Sequence, residues 1–508
     1  MLHKMKKFTF LFAFCFLTVF NHLLIAQTVT VSKNTIHDFQ SRTRFEMLHN
    51  TDQLKIFSTH QLSYWGTLED ATFHIIQENA KDIDFHAPSE YHHLFATYND
   101  KKITWVSFVD TKNKKTKTIE YAIYRSLLPT DKGTSKFNFE KMATFTYKSD
   151  KEIYPFTIAS EDKSKFAVIF EENKKRHVYI FDNHGNLISV EKISLDFQND
   201  IVGNITMIKN DGTICMLSYS GELKNGNISN QQLHLLTFSE GNDEPVAIST
   251  VDVDFENIRT IKATILNDER FFIYGDYAEK GENLTGFFFC FANTDGEFVG
   301  EIKNTGGNFK KLSKTIQIDQ DKEKGYASDI FLNKALIMEN GNIVFIENEC
   351  YKRTVTGDKV AYIEYYTRGF YCQMVSPSGE LINEHFFPMP FITSSYPHAR
   401  NAIFATIQDD KVVFYYPGNQ ENFKQGVKLL TAVSRKNVLS KQIGVKQPIP
   451  CIVHAVFDDL DYIDLKTYLF SSKNVFCQGL TLMDNKFNFI AEGYIMKVAF
   501  YYLGEISF

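Results

Sequence analysis

The sequence predicts an all-β protein: a single β-propeller of seven four-stranded blades, with eight blades as an open alternative. Strand–turn–strand segments recur along most of the chain in two distinguishable forms. No stretch of about a dozen residues carries the i, i+3, i+4, i+7 apolar spacing of an amphipathic helix. Phe and Tyr are abundant, at 47 and 25 residues, and such flat side chains suit the buried faces of strands.

The first form is a hairpin whose turn is rich in Asp, Asn or Gly. These residues tolerate the left-handed backbone angles of tight turns, and the flanking runs are β-branched and aromatic. Six clear copies and a degenerate seventh are HLFATYNDKKITWVSFV (93–109), FTIASEDKSKFAVIFE (156–171), NITMIKNDGTICMLSY (204–219), IKATILNDERFFIYGD (261–276), KALIMENGNIVFIEN (334–348), NAIFATIQDDKVVFYYP (401–417) and DLKTYLFSSKNVFCQG (464–479). Their turns are anchored at Asp100, Asp162, Asp211, Asp268, Asn340, Asp409 and Lys473, which are about 62 residues apart on average.

The second form lies between successive copies of the first. It has an apolar approach, a polar corner closed by glycine, and a second strand, as in FDNHGNLISVEKI (181–193), FANTDGEFVGEI (291–302) and MVSPSGELINEHF (374–386). Two hairpins per repeat make four strands, which is the unit of a propeller blade. We therefore expect Gly185, Gly296 and Gly379 to join the third strand of a blade to its outermost strand. Tandem β-sandwiches remain an alternative, because four-strand units can also stack in pairs.

Three other segments complete the predicted architecture. Residues 44–65 have hairpin character around Asn50–Asp52 and are the candidate for an eighth blade. Residues 309–328 and 351–360 are expected to be insertions at blade ends. A strand from one end of the chain is expected to close the ring.

The first 26 residues have the features of a secretory signal peptide. Lys4, Lys6 and Lys7 precede the apolar run Phe8–Phe20, and Ala26 is a small residue at the expected cleavage position. We expect cleavage near Ala26–Gln27, followed by one propeller-like domain over 27–508. The protein should then be exported to the periplasm, the cell surface or the medium, as a monomer without a membrane span.

Six cysteines remain after the predicted signal peptide: Cys215, Cys290, Cys350, Cys372, Cys451 and Cys477. Export and an even count would fit disulfides, but there is no CxxC pair and a chain of this length can be stabilised by burial alone. Most of these cysteines are therefore predicted to be buried thiols. If the turn after Cys350 centres on Gly357, then Cys350 faces Glu364 rather than Cys372.

No sequence motif indicates a class of enzyme or cofactor. The sequence contains no GxSxG, HExxH, GxxxxGK[ST] or GxGxxG. A net charge of −6 also argues against a nucleic-acid partner. His92 and His93 are adjacent, so in a strand they point to opposite faces and cannot readily share an ion. The basic tip TKNKKTKT (111–118) is interpreted as a solvated hairpin end.

Two acidic clusters are weak metal candidates. Asp319, Asp321 and Glu323 alternate as ligands do in a calcium loop, but the following glycine is one position late for an EF-hand. A second cluster contains Asp458, Asp459 and Asp461. Solvated loops explain both clusters, so Ca²⁺ is the one cofactor considered and none is assigned.

The repeat pattern resembles that of exported bacterial β-propeller-like proteins of unknown function. The resemblance covers most of the chain after residue 26, but repeated Trp-Asp ends and SxDxGxTW boxes are missing, and Trp65 and Trp105 are the only tryptophans. Trp105, within WVSFV (105–109), is expected to pack between blades. The resemblance therefore transfers no functional residue to this chain.

The sequence favours a non-enzymatic binding or scaffold protein whose loops contact a protein or glycan ligand, because rigid scaffolds commonly carry their binding surfaces on loops. The alternative is a hydrolase or lyase acting on an extracellular polysaccharide or peptide, with carboxylates at the central channel. Two or more carboxylates, or a histidine–carboxylate pair about 5–9 Å apart with perturbed pKa values, at the channel mouth would favour the enzyme. A channel plugged by Phe and Tyr would favour binding. No catalytic or ligand-binding residue is assigned from sequence.

Overall fold

The computed structural model describes most of the chain as strands. The described residues are 29–31, 36–38, 43–51, 53–62, 69–78, 82–130, 136–148, 152–172, 175–195, 201–224, 227–239, 241–255, 258–278, 285–306, 327–356, 361–393, 403–419, 450–458, 463–469, 475–483, 486–495 and 498–507. Among these residues, no helix has the length and apolar character needed to cross a membrane. The signal peptide lies outside the described residues and stays a prediction.

Seven antiparallel sheets each contain four strands that are consecutive in the chain, and we number them blades 1 to 7. Blade 1 contains β3 (Thr43–Asn50), β4 (Leu54–Leu62), β5 (Glu69–Gln77) and β6 (Ile83–His86); blade 2 contains β7 (His92–Asn99), β8 (Lys102–Asn113), β9 (Thr118–Pro129) and β10 (Phe139–Tyr147). Blade 3 contains β11 (Phe156–Ala159), β12 (Lys165–Glu172), β13 (Lys175–Asp182) and β14 (Leu187–Ser194); blade 4 contains β15 (Ile201–Ile208), β16 (Ile214–Lys224), β17 (Asn227–Phe238) and β18 (Ala247–Asp252). Blade 5 contains β19 (Ile258–Ile265), β20 (Phe271–Tyr277), β21 (Gly286–Ala292) and β22 (Phe298–Gly306); blade 6 contains β23 (Ala327–Ile337), β24 (Ile343–Thr356), β25 (Ala361–Val375) and β26 (Leu381–Thr393). Blade 7 contains β27 (Phe404–Gln408), β28 (Lys411–Asn419), β29 (Pro450–Phe457) and β30 (Ile463–Leu469).

A further sheet takes its strands from both ends of the chain, and we call it the terminal sheet. It contains β31 (Val475–Met483), β32 (Lys486–Ile495) and β33 (Val498–Ser507), and β33 also pairs with β1 (Val29–Val31) and β2 (Ile36–Asp38). Strand β31 contacts blade 7 through β28 and blade 1 through β3, so the ring of sheets closes through the terminal sheet. The predicted seven four-stranded blades are confirmed. No eighth blade of four consecutive strands is present among the described residues.

The first strand of each blade is an edge strand that faces the centre of the ring. Strand β7 contacts β3 and β11, β15 contacts β11 and β19, and β31 contacts β27 and β3. First strands of neighbouring sheets therefore meet, whereas fourth strands lie at the opposite edges. We call the first strands inner strands.

The turns of the first hairpin form have the backbone that their residues predict. Asp100 and Asp409 adopt φ values of 49° and 51°, in the left-handed region that Asp tolerates. Where the turn is longer, a polar side chain accepts a hydrogen bond from a backbone N–H within the turn. The carboxylate Oδ1 of Asp211 accepts such a bond, of 2.8 Å, from the N–H of Thr213. These turns join the first and second strands of the blades.

The glycine corners join third and fourth strands, as predicted. Gly185, Gly296 and Gly379 have φ values of 72°, 86° and 90°. At Asn293, the side-chain Oδ1 accepts hydrogen bonds from the backbone N–H groups of Asp295 and Glu297. The side chain of the polar residue at the start of the corner thus holds the turn backbone through hydrogen bonds. The glycine near the end of the corner adopts the left-handed φ that the turn requires.

Each gap between consecutive blades contains its own apolar cluster. Six clusters of buried side chains fill the six gaps between blades 1 and 7. Phe287 of blade 5 stacks on Phe345 of blade 6 with ring centroids 4.7 Å apart, and Phe95 of blade 2 stacks on Phe166 of blade 3 at 4.4 Å. The high aromatic content therefore serves to pack flat sheet faces against each other.

Three details differ from the predictions. Residues 464–479 are not a hairpin, because β30 is the outermost strand of blade 7 while β31 begins the terminal sheet. The seventh inner hairpin is instead β3–β4, within the segment 44–65 that was the candidate for an eighth blade. Residues 351–356 continue β24, which extends the β24–β25 hairpin.

The cysteines that the structure describes with their side chains are buried thiols. Cys215, Cys290 and Cys372 are free and buried, and burial raises the pKa of Cys215 and of Cys290 to about 12. Cys350 lies opposite Thr367 and Cys372 opposite Ile346. The prediction that Cys350 does not face Cys372 is confirmed, but the predicted partner Glu364 is wrong because the hairpin is longer than Gly357 suggested.

Candidate functional site

The acidic clusters predicted from sequence lie mostly outside the described residues. Asp319, Asp321, Glu323, Asp459 and Asp461 lie outside the described residues, so the calcium hypothesis stays a prediction for them. Asp458 is described, and it is 4% exposed rather than on a solvated loop. Its carboxylate lies 3.5 Å from the Lys411 ammonium, and its backbone carbonyl accepts a hydrogen bond from the Asn383 amide. Asp458 therefore contributes to packing at the end of β29.

The adjacent histidines contact different partners, as expected for neighbours in a strand. The Nε2 atom of His92 lies 3.8 Å from a carboxylate oxygen of Asp110, within blade 2. His93 instead lies against His60 of blade 1, with ring centroids 3.7 Å apart. The partner of His93 thus comes from another blade, which sequence adjacency could not reveal.

His93 belongs to a cluster between blades 1 and 2 that we call the histidine seam: Glu46, Ser58, His60, His93 and Trp105. Glu46 lies on the inner strand β3, and its side chain is 47% exposed. Its Oε2 atom is 3.7 Å from Nε2 of His60, which also lies 2.7 Å from the Ser58 hydroxyl. The indole N–H of Trp105 donates a hydrogen bond of 3.1 Å to Nδ1 of His93.

The histidine seam has the residue types of a metal site, but the hydrogen bond that His93 accepts opposes metal binding. Ligand atoms of Glu46, His60 and His93 all lie within 4.8 Å of one another. The rings of His60 and His93 lie against each other, with centroids 3.7 Å apart and planes 35° apart. In addition, His93 Nδ1 accepts the indole proton, so the proton of the neutral ring is on Nε2. An ion at either nitrogen would therefore require the Trp105 bond or that proton to be lost.

The same cluster does not form a serine-hydrolase triad. In a triad the serine hydroxyl and the carboxylate contact opposite nitrogens of the histidine. Here Ser58 and Glu46 both approach Nε2 of His60, and Ser58 is fully buried. The other nitrogen, Nδ1 of His60, is buried and therefore out of reach of a substrate.

Burial determines the charge state of His93. Burial lowers the pKa of His93 well below its ordinary value, and the neighbouring His60 lowers it further. The neutral ring also suits the Trp105 hydrogen bond, because a protonated ring would offer no acceptor at Nδ1. His93 is therefore neutral at pH 7.

A second histidine arrangement crosses blade 1. The Thr59 hydroxyl lies 3.0 Å from Nε2 of His74, and Nδ1 of His74 lies 2.9 Å from a carboxylate oxygen of Asp84. The hydrogen bond from His74 lowers the pKa of Asp84. The order hydroxyl, imidazole, carboxylate is that of a nucleophile, its base and an orienting acid. Thr59 is buried, however, which limits access to its hydroxyl.

Two lysines occupy the opposite part of the ring, and with their contacts they form what we call the lysine seam: Lys262, Asn333, Lys334, Phe404 and Ala405. The Lys262 ammonium on β19 donates a hydrogen bond to the backbone carbonyl of Asn333 on β23. The Lys334 ammonium on β23 likewise donates to the carbonyl of Ala405 on β27. Each lysine thus reaches from its own inner strand to the inner strand of the next blade.

The charge on Lys334 is destabilised by its surroundings. Burial, and to a lesser extent the Lys262 ammonium, lower the pKa of Lys334 to about 8. The ammonium lies 5.8 Å from the ring centroid of Phe404, a cation–π contact that offsets part of this cost. Among the described residues, no carboxylate forms an ion pair with Lys334.

Comparisons with known proteins assign no family. No protein-family model matches the sequence, and no curated protein is significantly similar to it. The Dos1 propeller aligns with a TM-score of 0.42 and 9% identity, covering 91% of this chain and 94% of its own. Polysaccharide lyase Uly1 aligns at 0.33 and 10% identity, covering 83% and 91%. A Penicillium chrysogenum α-L-arabinanase complexed with arabinobiose aligns at 0.30 and 10% identity, covering 63% and 94%. Similarity at this level transfers no function to the chain.

Proposed function

We propose that this protein is exported and acts as a non-enzymatic binding protein, using the inner-strand side of its propeller to bind a protein or glycan ligand. The observation that carries this proposal is the environment of Glu46. Its half-exposed carboxylate is presented on an inner strand, while the histidines behind it are engaged with one another and with Ser58 and Trp105. Glu46 is therefore available as a hydrogen-bond acceptor.

The same environment favours binding over catalysis. General acid–base chemistry needs a group within reach of the substrate that can accept or give a proton at the working pH. Neither histidine beside Glu46 offers an accessible lone pair, and most glycoside hydrolases use two carboxylates across the scissile bond. The histidine seam supplies one carboxylate, Glu46.

The proposal can be tested with a glycan array and with pull-down from the exported fraction, comparing wild type with Glu46→Gln. Loss of a charged acceptor costs about 1.5–3 kcal/mol, so the variant should bind at least about tenfold more weakly. Glu301→Gln is the matched control, because Glu301 is an exposed glutamate on the fourth strand β22. Equal affinity of wild type and Glu46→Gln for a captured ligand would contradict a role for this site, and robust turnover of any polymer would contradict the non-enzymatic proposal.

A second candidate is hydrolysis of an extracellular polysaccharide or peptide, supported by the Thr59–His74–Asp84 arrangement. Under this alternative Thr59→Ala and Asp84→Asn would both abolish turnover by purified protein. The variant Thr72→Ala is a control, because Thr72 lies opposite Thr59 on β5 and its hydroxyl contacts His86. Turnover that survives Thr59→Ala would exclude this arrangement as its source.

Export itself is tested by mass spectrometry of material from outside the cytoplasm. The mature chain is expected to begin near Gln27. Protein that retains the first 26 residues and stays in the cytoplasm would remove the exported-ligand proposal.

A further inference from the structure

The gap between blades 3 and 4 contains a cavity at the end where the hairpin turns and glycine corners lie, and we call it the gap cavity. Its volume is about 150 Å³. Ile180 of blade 3 and Ile214 and Phe238 of blade 4 line it, and all three are buried members of the apolar cluster that fills this gap. The gap cavity therefore lies directly on the apolar cluster, which gives it a hydrophobic floor.

Hydrogen bonds between the two blades hold the walls of the gap cavity in place. Toward the centre of the ring, the backbone N–H of Asp162 donates to Oδ1 of Asn210 at 3.3 Å. On the outermost strand, the backbone N–H of Ser194 donates to the carbonyl of Asp243 at 2.8 Å. The blades are thus tied together on both sides, so a ligand would meet a preformed site and lose less affinity to ordering of the protein.

The polar residues that line the gap cavity differ in charge. Lys165 and Glu191 belong to blade 3 and Asp211 to blade 4, and the uncharged Ser189 and Asn242 also line it. In the part of the chain that the structure describes, none of the three charged residues forms an ion pair. The cavity thus combines hydrogen-bond donors and acceptors, and a ligand with a net charge of either sign would face at least one like charge.

Glu191 has acceptor capacity that the protein does not use. This residue is 8% exposed, and its Oε2 atom accepts a hydrogen bond of 2.8 Å from the backbone N–H of Gly241, across the gap. A carboxylate has about four acceptor sites on its two oxygens. Within the described ranges, the Oε1 atom of Glu191 has no hydrogen-bond partner. Because further donors stabilise a buried carboxylate, Glu191 favours a ligand that brings hydroxyl or N–H groups.

We propose that the gap cavity binds one neutral sugar unit of a glycan. A sugar hydroxyl both donates and accepts, so adjacent hydroxyls would donate to Glu191 or Asp211 and accept from Lys165 or Asn242. The C–H groups of the sugar ring would contact the apolar floor. The cavity is smaller than the sites of drug-sized ligands, which typically measure about 300–1,000 Å³, so a single ring fits rather than a longer segment.

A sugar site in the gap cavity deepens the proposed binding function, on which it rests, because it names the ligand class and adds a second site. Glu46 lies in the gap between blades 1 and 2, whereas the gap cavity lies between blades 3 and 4. Variants of the two sites therefore distinguish failure of one proposal from failure of the other.

The first experiment uses methyl glycosides of glucose, galactose, mannose and xylose as probes. Binding to wild-type protein is titrated by saturation-transfer NMR, and the neutral glycoside that binds best is compared with its own uronate and amino-sugar analogues. The neutral form should bind at least about threefold more tightly than either charged analogue, because the cavity carries both signs of charge. Failure of all four glycosides to bind, or equal or tighter binding of a charged analogue, would overturn the proposal.

Two substitutions test the location of the sugar. Ser189 shares a strand face with Glu191, so Ser189→Phe places a ring in the cavity, while Glu191→Gln removes the charge of the acceptor. The matched controls are Val190→Phe, at a 52% exposed position on β14, and Glu244→Gln, at an exposed glutamate of blade 4. Ser189→Phe should abolish measurable binding and Glu191→Gln should weaken it about tenfold, with both controls within about twofold of wild type. Wild-type affinity in Ser189→Phe would overturn the proposal.

A third measurement needs no variant. Hydrogen–deuterium exchange of wild-type protein is followed by mass spectrometry with and without saturating neutral glycoside. Exchange should slow in peptides that cover residues 187–194, 209–215 and 237–246. Slowing confined to the β3 peptide that contains Glu46 would support binding at Glu46 and overturn the gap cavity as the sugar site. Capture of a protein ligand, with no slowing by any glycoside, would leave the binding function intact and overturn the sugar site.

Discussion

The histidine seam and the lysine seam both place titratable groups between neighbouring blades, but they treat charge differently. In the histidine seam the neutral ring of His93 is stabilised by another side chain of the seam, because the Trp105 N–H donates a hydrogen bond to Nδ1 of His93. In the lysine seam the ammonium of Lys334 is held by a carbonyl and a ring, with Lys262 opposing its charge. The comparison shows that one blade gap satisfies its polar ring with a neighbouring side chain, whereas the other leaves an ammonium with a single carbonyl acceptor among the described residues.

The largest expected loss of stability comes from a substitution in the histidine seam. Trp105 is fully buried and packs against Phe73, Phe137 and Phe139, so Trp105→Ala should destabilise the protein by about 3–5 kcal/mol. The change is measured as the shift of the urea midpoint at constant m-value. Leu127→Ala, at a partly exposed position on β9, is the control and should change stability by about 0.5 kcal/mol or less. A loss below about 1 kcal/mol in Trp105→Ala would show that the seam does not depend on its indole.

A direct contrast between the seams comes from replacing one polar residue in each with an apolar one. His93→Leu leaves the buried Trp105 N–H without an acceptor and should cost about 1–3 kcal/mol. Lys334→Met removes an uncompensated ammonium at similar volume, so in buffer without multivalent anions it should change stability by about 1 kcal/mol or less, in either direction. Urea midpoints at pH 7 provide the measurement. If Lys334→Met were the more damaging of the two, the proposed difference between the seams would be wrong.

The two seams should also titrate in different pH windows. The pKa of His93 is lower in the folded protein than its unfolded value near 6.5, so its contribution is complete above about pH 6.5 and is lost as the pH falls below it. The pKa of Lys334 is also lowered, to about 8. The cost of the charged Lys334 to folding stability is therefore complete below about pH 8, and it decreases as the pH rises toward the unfolded pKa of about 10.4. Both signs follow because the unfolded chain binds more protons within each window.

These windows are measured as stability differences between wild type and variant, which cancel the other groups. The free energy of unfolding of wild type minus that of His93→Leu should decrease as the pH falls below 6.5. The same difference between wild type and Lys334→Met should increase from pH 8 to pH 10. Parallel curves for wild type and variant across either window would show that the corresponding group does not titrate as described.

The smallest effect is expected at the exposed edge of the histidine seam. Glu46→Gln should change stability by less than about 1 kcal/mol, because ion pairs with a half-exposed partner contribute little. The thermal midpoint is sufficient to measure it. A larger loss would assign Glu46 to the packing of the seam, and its effect on ligand binding would then need a different explanation.

The fold was largely predictable because its signals are local. Asp211 and Asn293 determine their turns through hydrogen bonds to residues two to four positions away, so the hairpins could be read from short segments. The copy anchored at Lys473 was wrong because it joined the last strand of one sheet to the first strand of the next, which local pattern does not distinguish. Seven blades emerged nonetheless, because β3–β4 supplied the missing hairpin.

The candidate sites were not predictable in the same way. Glu46, His60 and His93 come from three strands in two blades, and nothing near His60 in the sequence marks it. Lys262 and Lys334 did carry a signal, since both precede alanine at one position of aligned repeats. That signal required the correct alignment of the blades and the knowledge that first strands face the centre of the ring.

The pairing of β33 with β1 has a consequence for how the chain is made. Val29 is opposite Ile506, so strand β1 finds its partner only after synthesis has reached the residues of β33. At roughly 5–20 residues per second, that delay is on the order of half a minute or more. During it the backbone groups of β1 and β2 and the open edge of blade 1 have no native neighbour, a situation in which strands readily pair with other chains. Ring closure is therefore the step at which a nascent chain of this protein is most exposed to aggregation, and the step that a chaperone would most usefully guard.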